Sequence, residues 1–395
     1  MKKVISVISV LTCWVGIGVA HATEGWIFSV NVADSAAINT YDTQQTYQTL
    51  TNYLASAMGI PIKLVVEQNA TIELQRTRTG FYSLILGPAH VIGSALKYGY
   101  EPVAKFPGNN RTVFVAAKST NISRIDQAKG KRLALPAQDS LATYLAKGEL
   151  NAIGLQANTY FQGIAYSHYQ DAALYTLSIG RADLVAVDEG AAKKWLATHP
   201  GVIIAASQVV PALSFAINNR IPKAQQDKIR AALLHPRAGE QSTVLKELRI
   251  AGFEIAKRDD YQYVASLGYF TPKLLPGAVV INAQEAKALQ DKGIAVVDTR
   301  VAVEYREGHI KGATNLPYKE NSAKEVDFDA TLDSWDIDHL PKNKQTPLIF
   351  ACNGPECWKS YKSAKTALTS GYTKVYWFRG GFPEWKKVGF ATESL

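Results

Sequence analysis

Two cysteines stand near the end of the chain with four residues between them, Cys352 and Cys357, within PLIFACNGPECWKSYKSAKTAL. The third, Cys13, lies in a segment that reads as cleaved off on export. Any thiol chemistry of the mature chain therefore belongs to this pair. The apolar run from Pro347 to Ala351 reads as a strand that delivers Cys352 into a short loop, and a helical pattern follows. A cysteine at such a turn can be ringed by backbone N–H groups. It also sits at the positive end of the helix dipole, which favours thiolate over thiol. The setting suits a nucleophile that carries anionic sulfur. Two cysteines without His or acidic partners at ligand spacing leave a zinc shell incomplete, so no metal site is expected and nothing calls for a cofactor.

The first 22 residues read as a secretory signal: Lys2 and Lys3, an apolar stretch from Val4 to about Ala20, and the small-x-small site Ala20-His21-Ala22. The apolar run is slightly short for a span, and no later stretch is long and apolar enough to cross a bilayer. Thr12 before Cys13 speaks against a lipoprotein site. Loss of Lys2 and Lys3 takes the formal net charge from +9 to +7. These charges are scattered, which suits attraction for anionic solutes or an anionic membrane surface and not a nucleic-acid footprint. Export implies an oxidising compartment, where two thiols need either a disulfide or a role.

At 395 residues and 47% hydrophobic, the chain is long enough for two or three packed α/β domains. Prolines 272 and 276 with Gly277 suggest a boundary within 260–276, between two self-contained patterns. The first alternates strands with helices, for example a helix over Asp42–Met58 with Tyr47, Leu50, Leu54 and Met58 on one face. Such alternation indicates largely parallel sheets. The stretches YSLILGPAHVIGSAL and GIAYSHYQDAALYTLSIGRADLVAVDEGAAKKW resemble type II periplasmic solute-binding proteins, with the phosphate/phosphonate branch nearest. The resemblance implies a two-lobed domain over 23–260, with one lobe from about 25–110 plus 215–258 and the other from 115–210. It places a solute between the lobes, at loops and helix N-termini whose free N–H groups bind anions. The candidates are Tyr41 and Thr43 at the first helix, Gly87 and His90, Ser140 and Thr143, His168, and Asp188. Each is equally readable as an ordinary cap or turn, and Asp139 beside Ser140 would repel a fully ionised phosphonate.

The second pattern, 277–395 after a linker over 261–276, carries VVDTRVAVEYREGHIKGATNLPY, FACNGPECWKS and VYWFRGGFPEWKKVGF. These three signatures, in order, strongly resemble the rhodanese family, which implies a small α/β domain with a central parallel sheet. By that resemblance Cys352 is the nucleophile that takes sulfane sulfur as a persulfide and passes it to a thiophilic acceptor. The loop Asn353, Gly354, Pro355, Glu356 and Cys357, with Trp358 and Lys359 after it, would wrap that sulfur; Pro355 has no N–H, so at most four of the five residues 353–357 can donate. Asp298 and Arg300 match an Asp-x-Arg, with Arg300 expected to pair with Glu304. His309 belongs to a packing turn, and Gly380 and Gly381 let the chain pass close beneath the loop. Two departures stand out. The loop has no arginine to grip thiosulfate and carries Glu356 instead. Cys357 is open to three readings: a resolving thiol, a small buried residue, or half of a disulfide that stabilises little because the loop it closes is short. In the helix that follows, Trp358, Tyr361, Ala364 and Leu368 are expected to face the core, and Lys359, Lys362 and Lys365 to form a solvated face.

Three functions fit. The first is a periplasmic sulfurtransferase fused to a binding domain for a small, anionic solute. The second is a transporter-type solute-binding protein, partnered by a membrane transporter or sensor, whose rhodanese unit docks or senses redox state. The third is dithiol–disulfide cycling at Cys352 and Cys357. The partners expected are thus the solute, a sulfur donor and acceptor, and a transporter or sensor, with no nucleic acid.

Overall fold

Strands and helices alternate along the chain, and hydrogen bonding sorts the strands into three main sheets in the computed structural model. It describes residues 25–31, 40–67, 70–153, 155, 157–235, 240–267 and 271–395. The expected signal segment, Cys13 included, lies outside these.

In the first lobe, Trp26–Val30 pairs in parallel with Ile62–Val66 and Leu84–Gly87. Ser214–Asn218 returns from the second lobe and inserts antiparallel between Leu84–Gly87 and Tyr100–Lys105, and Glu254–Ile255 closes the edge. The second lobe pairs Arg132–Leu135 in parallel with Gly163–Tyr166 and Leu184–Asp188, while Thr112–Ala117 runs antiparallel to Leu184–Asp188 and Gly201–Ala206. Both sheets are therefore mixed, which corrects the expectation of largely parallel pairing. Its cause is the crossing: Thr112–Ala117 and Ser214–Asn218 each arrive from the other lobe and enter at the opposite end of the sheet. At the crossing, Asn109–Asn110 and Val210–Pro211 form a two-stranded hinge. The first helix, Thr40–Met58, buries Tyr47, Leu50, Leu54 and Met58 against the first sheet, as its apolar spacing requires.

The third sheet is parallel throughout, in the order Ala278–Ile281, Val375–Phe378, Leu348–Ala351, Ala295–Asp298, Thr314–Asn315. Parallel sheets need cover on both faces. Helix Trp358–Thr369 supplies one face, burying Trp358, Tyr361, Ala364 and Ala367 with Leu368 half-buried. Ala283, Ala286, Phe382 and Trp385 cover the other. Leu348–Ala351 lies at the centre with every residue buried, and its C-terminal end leads into the cysteine loop. In the stretch read as a linker, Gln262–Ser266 is a short helix whose Val264 packs with Tyr261 into the first lobe's core. Among the described residues no helix is long and apolar enough to cross a membrane.

Candidate functional site

Cys352 leaves the central strand and meets Cys357 in a disulfide, with 6.2 Å between their Cα atoms. Both are buried, at 1% and 3% exposure. The loop between them turns on itself: the Cys357 N–H donates to the Gly354 carbonyl at 2.9 Å. That bond removes one donor from the expected cradle, leaving at most three of the five residues 353–357 to face a sulfur instead of four. Two glycines carry the close packing. Gly381 has φ +56°, and a Cβ there would lie 2.0 Å from the Cys352 carbonyl oxygen, which accepts from the Phe382 N–H at 2.8 Å. Gly354 has φ +88°, and its Cβ would come within 3.2 Å of the Tyr98 hydroxyl. At Gly380 the nearest obstacle is the Glu384 side chain.

Bracing behind the loop differs from expectation. Arg300 does not pair with Glu304. Its fork holds Asp298, with Nε to Oδ1 at 2.9 Å and Nη2 to Oδ2 at 2.6 Å, and Nη2 also reaches the Gly308 carbonyl. The reason is local: the Arg300 backbone N–H already binds Asp298 Oδ1 in the same turn. Glu304 instead accepts from the Asn353 amide at 2.7 Å, so it braces the loop through Asn353. Burial pushes the Glu304 carboxyl up, against the pull of Lys359 and Arg300. His309 stacks on Tyr305, with centroids 3.7 Å apart, and its Nδ1 meets the Tyr305 carbonyl.

The expected solvated lysine face is absent. Lys359 and Lys362 are buried, and Lys362 Nζ lies 2.8 Å from Glu320 and 2.7 Å from Ser322 Oγ. The long connection between Thr314–Asn315 and Leu348–Ala351 folds over this face and supplies those partners. Burial holds the Lys359 and Lys362 ammonium groups below the usual lysine range, although Glu304 and Glu320 oppose it. Among the described residues no group of three or more His, Cys, Asp and Glu is placed to hold a metal ion.

The loop's outer side is covered by the solute-binding unit, a feature the sequence did not reveal. Glu356 pairs with Arg78 at 3.0 Å and Lys97 at 3.3 Å and accepts from Ser94 Oγ at 2.9 Å. Burial raises the Glu356 carboxyl, but Arg78, Lys97 and Ser94 together hold it below the ordinary carboxylate range. Thr271 donates through both N–H and hydroxyl to the Pro355 carbonyl, strapping the loop from the connecting segment. The C-terminal unit also touches both lobes. Glu307 meets Arg76 of the first at 2.6 Å; Lys324 meets Asp139 of the second, and Glu325 lies 3.4 Å from Lys147. Lys324 thereby neutralises the Asp139 carboxylate that looked hostile to an anion.

Between the lobes lies a cleft of about 340 Å³ whose polar lining includes Asn31, Asn110, Arg111, Gln170, Asp188 and Lys194. Among the described residues expected there, Asp188 alone lines it, and its carboxylate caps a helix through the Gly190 and Ala191 N–H groups. Gly87 ends a buried strand, and its neighbour Pro88 is what reaches the cleft. His90 is buried between the lobes instead, with Nε2 2.7 Å from the Asp139 carbonyl and its ring against Tyr144; burial lowers it to about 4. Ser140 and Thr143 spend their hydroxyls on each other and on the Pro136 carbonyl, while Leu141, Ala142 and Leu145 of the same helix line the cleft. Thr43 is buried, and His168 is exposed and set edge-on to Tyr169. The side chain of Tyr41 lies outside the described residues.

Two families match along the chain. Residues 37–261 match the family described as ABC transporter, phosphonate, periplasmic substrate-binding protein, and residues 282–388 match the rhodanese-like domain. A thiosulfate sulfurtransferase, GlpE of Pseudomonas fluorescens, is 30% identical over 106 residues, spanning 27% of this chain and 83% of its own. A Xanthomonas citri protein solved bound to ATP superposes with a TM-score of 0.52 at 15% identity, covering 61% of this chain and 94% of its own. PhnD1 of Prochlorococcus marinus, solved with methylphosphonate, gives 0.49 at 14% identity, covering 61% and 97%. The chain belongs to the phosphonate-type periplasmic substrate-binding family and carries a rhodanese-like domain, of the sulfurtransferase family, at its C-terminal end.

Proposed function

We propose that the chain is an exported, periplasmic solute-binding protein, serving a membrane transporter, whose rhodanese-like domain moves sulfane sulfur through a persulfide on Cys352. One observation carries this reading: Cys352 stands at the end of the central parallel strand and opens the tight loop that leads to helix Trp358–Thr369. That position leaves Asn353, Gly354 and Glu356 to supply N–H groups to an anionic outer sulfur. The cleft would take a small anionic solute, with Arg111 and Lys194 on its wall.

The disulfide is the resting state in this reading. A thiol reductant opens it, giving two thiolates. Cys352 then attacks the outer sulfur of a sulfane donor; the new S–S bond forms as the donor's S–S bond breaks, and the donor leaves with the electron pair, as sulfite when the donor is thiosulfate. An acceptor thiolate takes the outer sulfur and Cys352 departs as thiolate. The test is incubation of the reduced full chain with thiosulfate, a thiosulfonate and a polysulfide, followed by mass spectrometry of the Cys352 peptide. One added sulfur, released by cyanide, is expected with at least one donor. No added sulfur with any of them overturns the reading.

A second reading is favoured by a separate observation, the burial of the disulfide beneath Arg78, Ser94 and Lys97. Here the pair only cycles between dithiol and disulfide and reports redox state to the binding unit. Sulfur loading on Cys352 excludes it as the whole account.

A further inference from the structure

Beside the disulfide, between the two units, is a cavity of about 10 Å³ lined by Gln75, Arg78, Glu320, Lys324, Glu356 and Cys357 among others. A void of roughly 10–15 Å³ on this measure holds about one water-sized atom. With the units closed, a donor of several heavy atoms such as thiosulfate does not fit there; a single sulfur does. The wall also carries one buried donor without a partner. The Arg78 side chain is 4% exposed, and its Nη2 holds Glu356. Its Nε is buried without a hydrogen-bond partner, an arrangement that costs about 1–3 kcal/mol and that an anion in the cavity would relieve. Of the other charged groups on the wall, Lys324 is paired with Asp139 and Glu320 with Lys362.

The two sulfurs of the disulfide are not equivalent. Cys357 borders the cavity and Cys352 does not line it, so an attacker there meets Cys357 and Cys352 is the sulfur that leaves. We propose that the oxidised loop captures hydrosulfide: the monoatomic anion enters beside Arg78 and attacks Cys357 Sγ. This rests on reading the loop as a sulfur-transfer site. The new S–S bond forms on Cys357 while the Cys352–Cys357 bond breaks, and its electron pair leaves on Cys352 as thiolate. The hydrosulfide sulfur gives up the two electrons that reduce the disulfide, so the disulfide is the oxidant and no other is needed. The S–H proton goes to solvent, leaving a persulfide anion facing Arg78. Cys352 thiolate can then attack the outer sulfur, releasing Cys357 as thiolate. That step yields the same Cys352 persulfide that a sulfane donor would make.

The experiment treats the oxidised full chain, without other reductant, with sodium hydrosulfide, then alkylates and measures mass. One added sulfur on the cysteine pair together with one free thiol is expected. An intact disulfide, or two free thiols without added sulfur, overturns the proposal. The reduced chain with the sulfane donors named above is run in parallel: loading there with none from hydrosulfide sinks the capture step alone, and loading in neither sinks both readings. Arg78→Gln is expected to slow capture about tenfold or more, and Arg78→Lys to keep most of the rate. A folded Arg78→Gln variant that reacts at the original rate removes Arg78 from the account. Should that variant not fold, the unaltered chain decides by size: 2-mercaptoethanesulfonate, a bulkier anionic thiol, is expected to open the disulfide far more slowly than hydrosulfide, and equal rates contradict the one-atom cavity.

Discussion

The two polar sites of this chain contrast in size and access. The interlobe cleft offers about 340 Å³ and a lining of amides, acids and cations beside a two-stranded hinge. The cysteine loop offers about 10 Å³, with both sulfurs buried under a neighbouring unit. A cleft at a hinge can exchange a solute by rocking its lobes. A loop clamped by Arg78, Ser94 and Lys97 admits little until the clamp loosens. The C-terminal unit grips both lobes, through Arg76 and Arg78 on one side and Asp139 and Lys147 on the other. A change in lobe angle therefore acts on the interface that closes the loop.

The comparison breaks most completely at the nucleophile. Cys352→Ser is expected to abolish sulfur loading, while Cys357→Ser leaves a Cys352 that loads from a sulfane donor without prior reduction; cyanide-released sulfur measures both. Next in size is the clamp. Glu356→Gln leaves Arg78 and Lys97 buried or half-buried without their carboxylate, and breaking a buried pair costs about 3–5 kcal/mol. A lower melting temperature and faster alkylation of the reduced cysteines are expected, with solute binding in the cleft retained. Close to it stands Gly381→Ala. Its Cβ would collide with backbone at 2.0 Å from the Cys352 oxygen, at positive φ, for a loss of about 2–4 kcal/mol by denaturant unfolding. Gly380→Ala should cost less, since its nearest obstacles belong to the Glu384 side chain and not to backbone, although Glu384 must give up its bond to the Ala283 N–H.

A smaller effect sharpens the contrast at the lobe junction. His90 falls from 6.5 to about 4 on burial, so between those values the unfolded chain binds a proton that the folded chain refuses. The stabilisation is complete above pH 6.5 and is lost as pH drops toward 4, by up to about 3 kcal/mol. His90→Gln should flatten that acid slope in melting curves recorded against pH. The smallest effect belongs to the cleft: Lys194→Met is expected to weaken binding of inorganic phosphate a few-fold, roughly 1 kcal/mol, without altering sulfur loading.

What the sequence showed and what it hid divide along the range of the interactions. Helix Trp358–Thr369, the strand before it and the close approach at Gly381 were legible because each is set by neighbours along the chain. Arg300 was misassigned by one partner, since two carboxylates, Asp298 and Glu304, both lie within four positions and only the turn geometry chooses. The burial of Lys362 depends on Glu320 and Ser322, some forty positions earlier, so its helical spacing looked like a solvated face. The clamp on Glu356 comes from residues about 260 positions away. Its one trace was Glu356 itself, an acid in a loop without an arginine. The solute loops failed for another reason: Ser140 and Thr143 satisfy a helix cap with the same residue types that would bind an anion.

The most direct measurement is the intact mass of the chain isolated from its cells without reductant, repeated after reduction and donor treatment. The account predicts a disulfide-linked form at rest, and after treatment a form one sulfur heavier, with that sulfur on Cys352 and removable by cyanide. A chain that shows only the Cys352–Cys357 disulfide or the plain dithiol under every condition contradicts it.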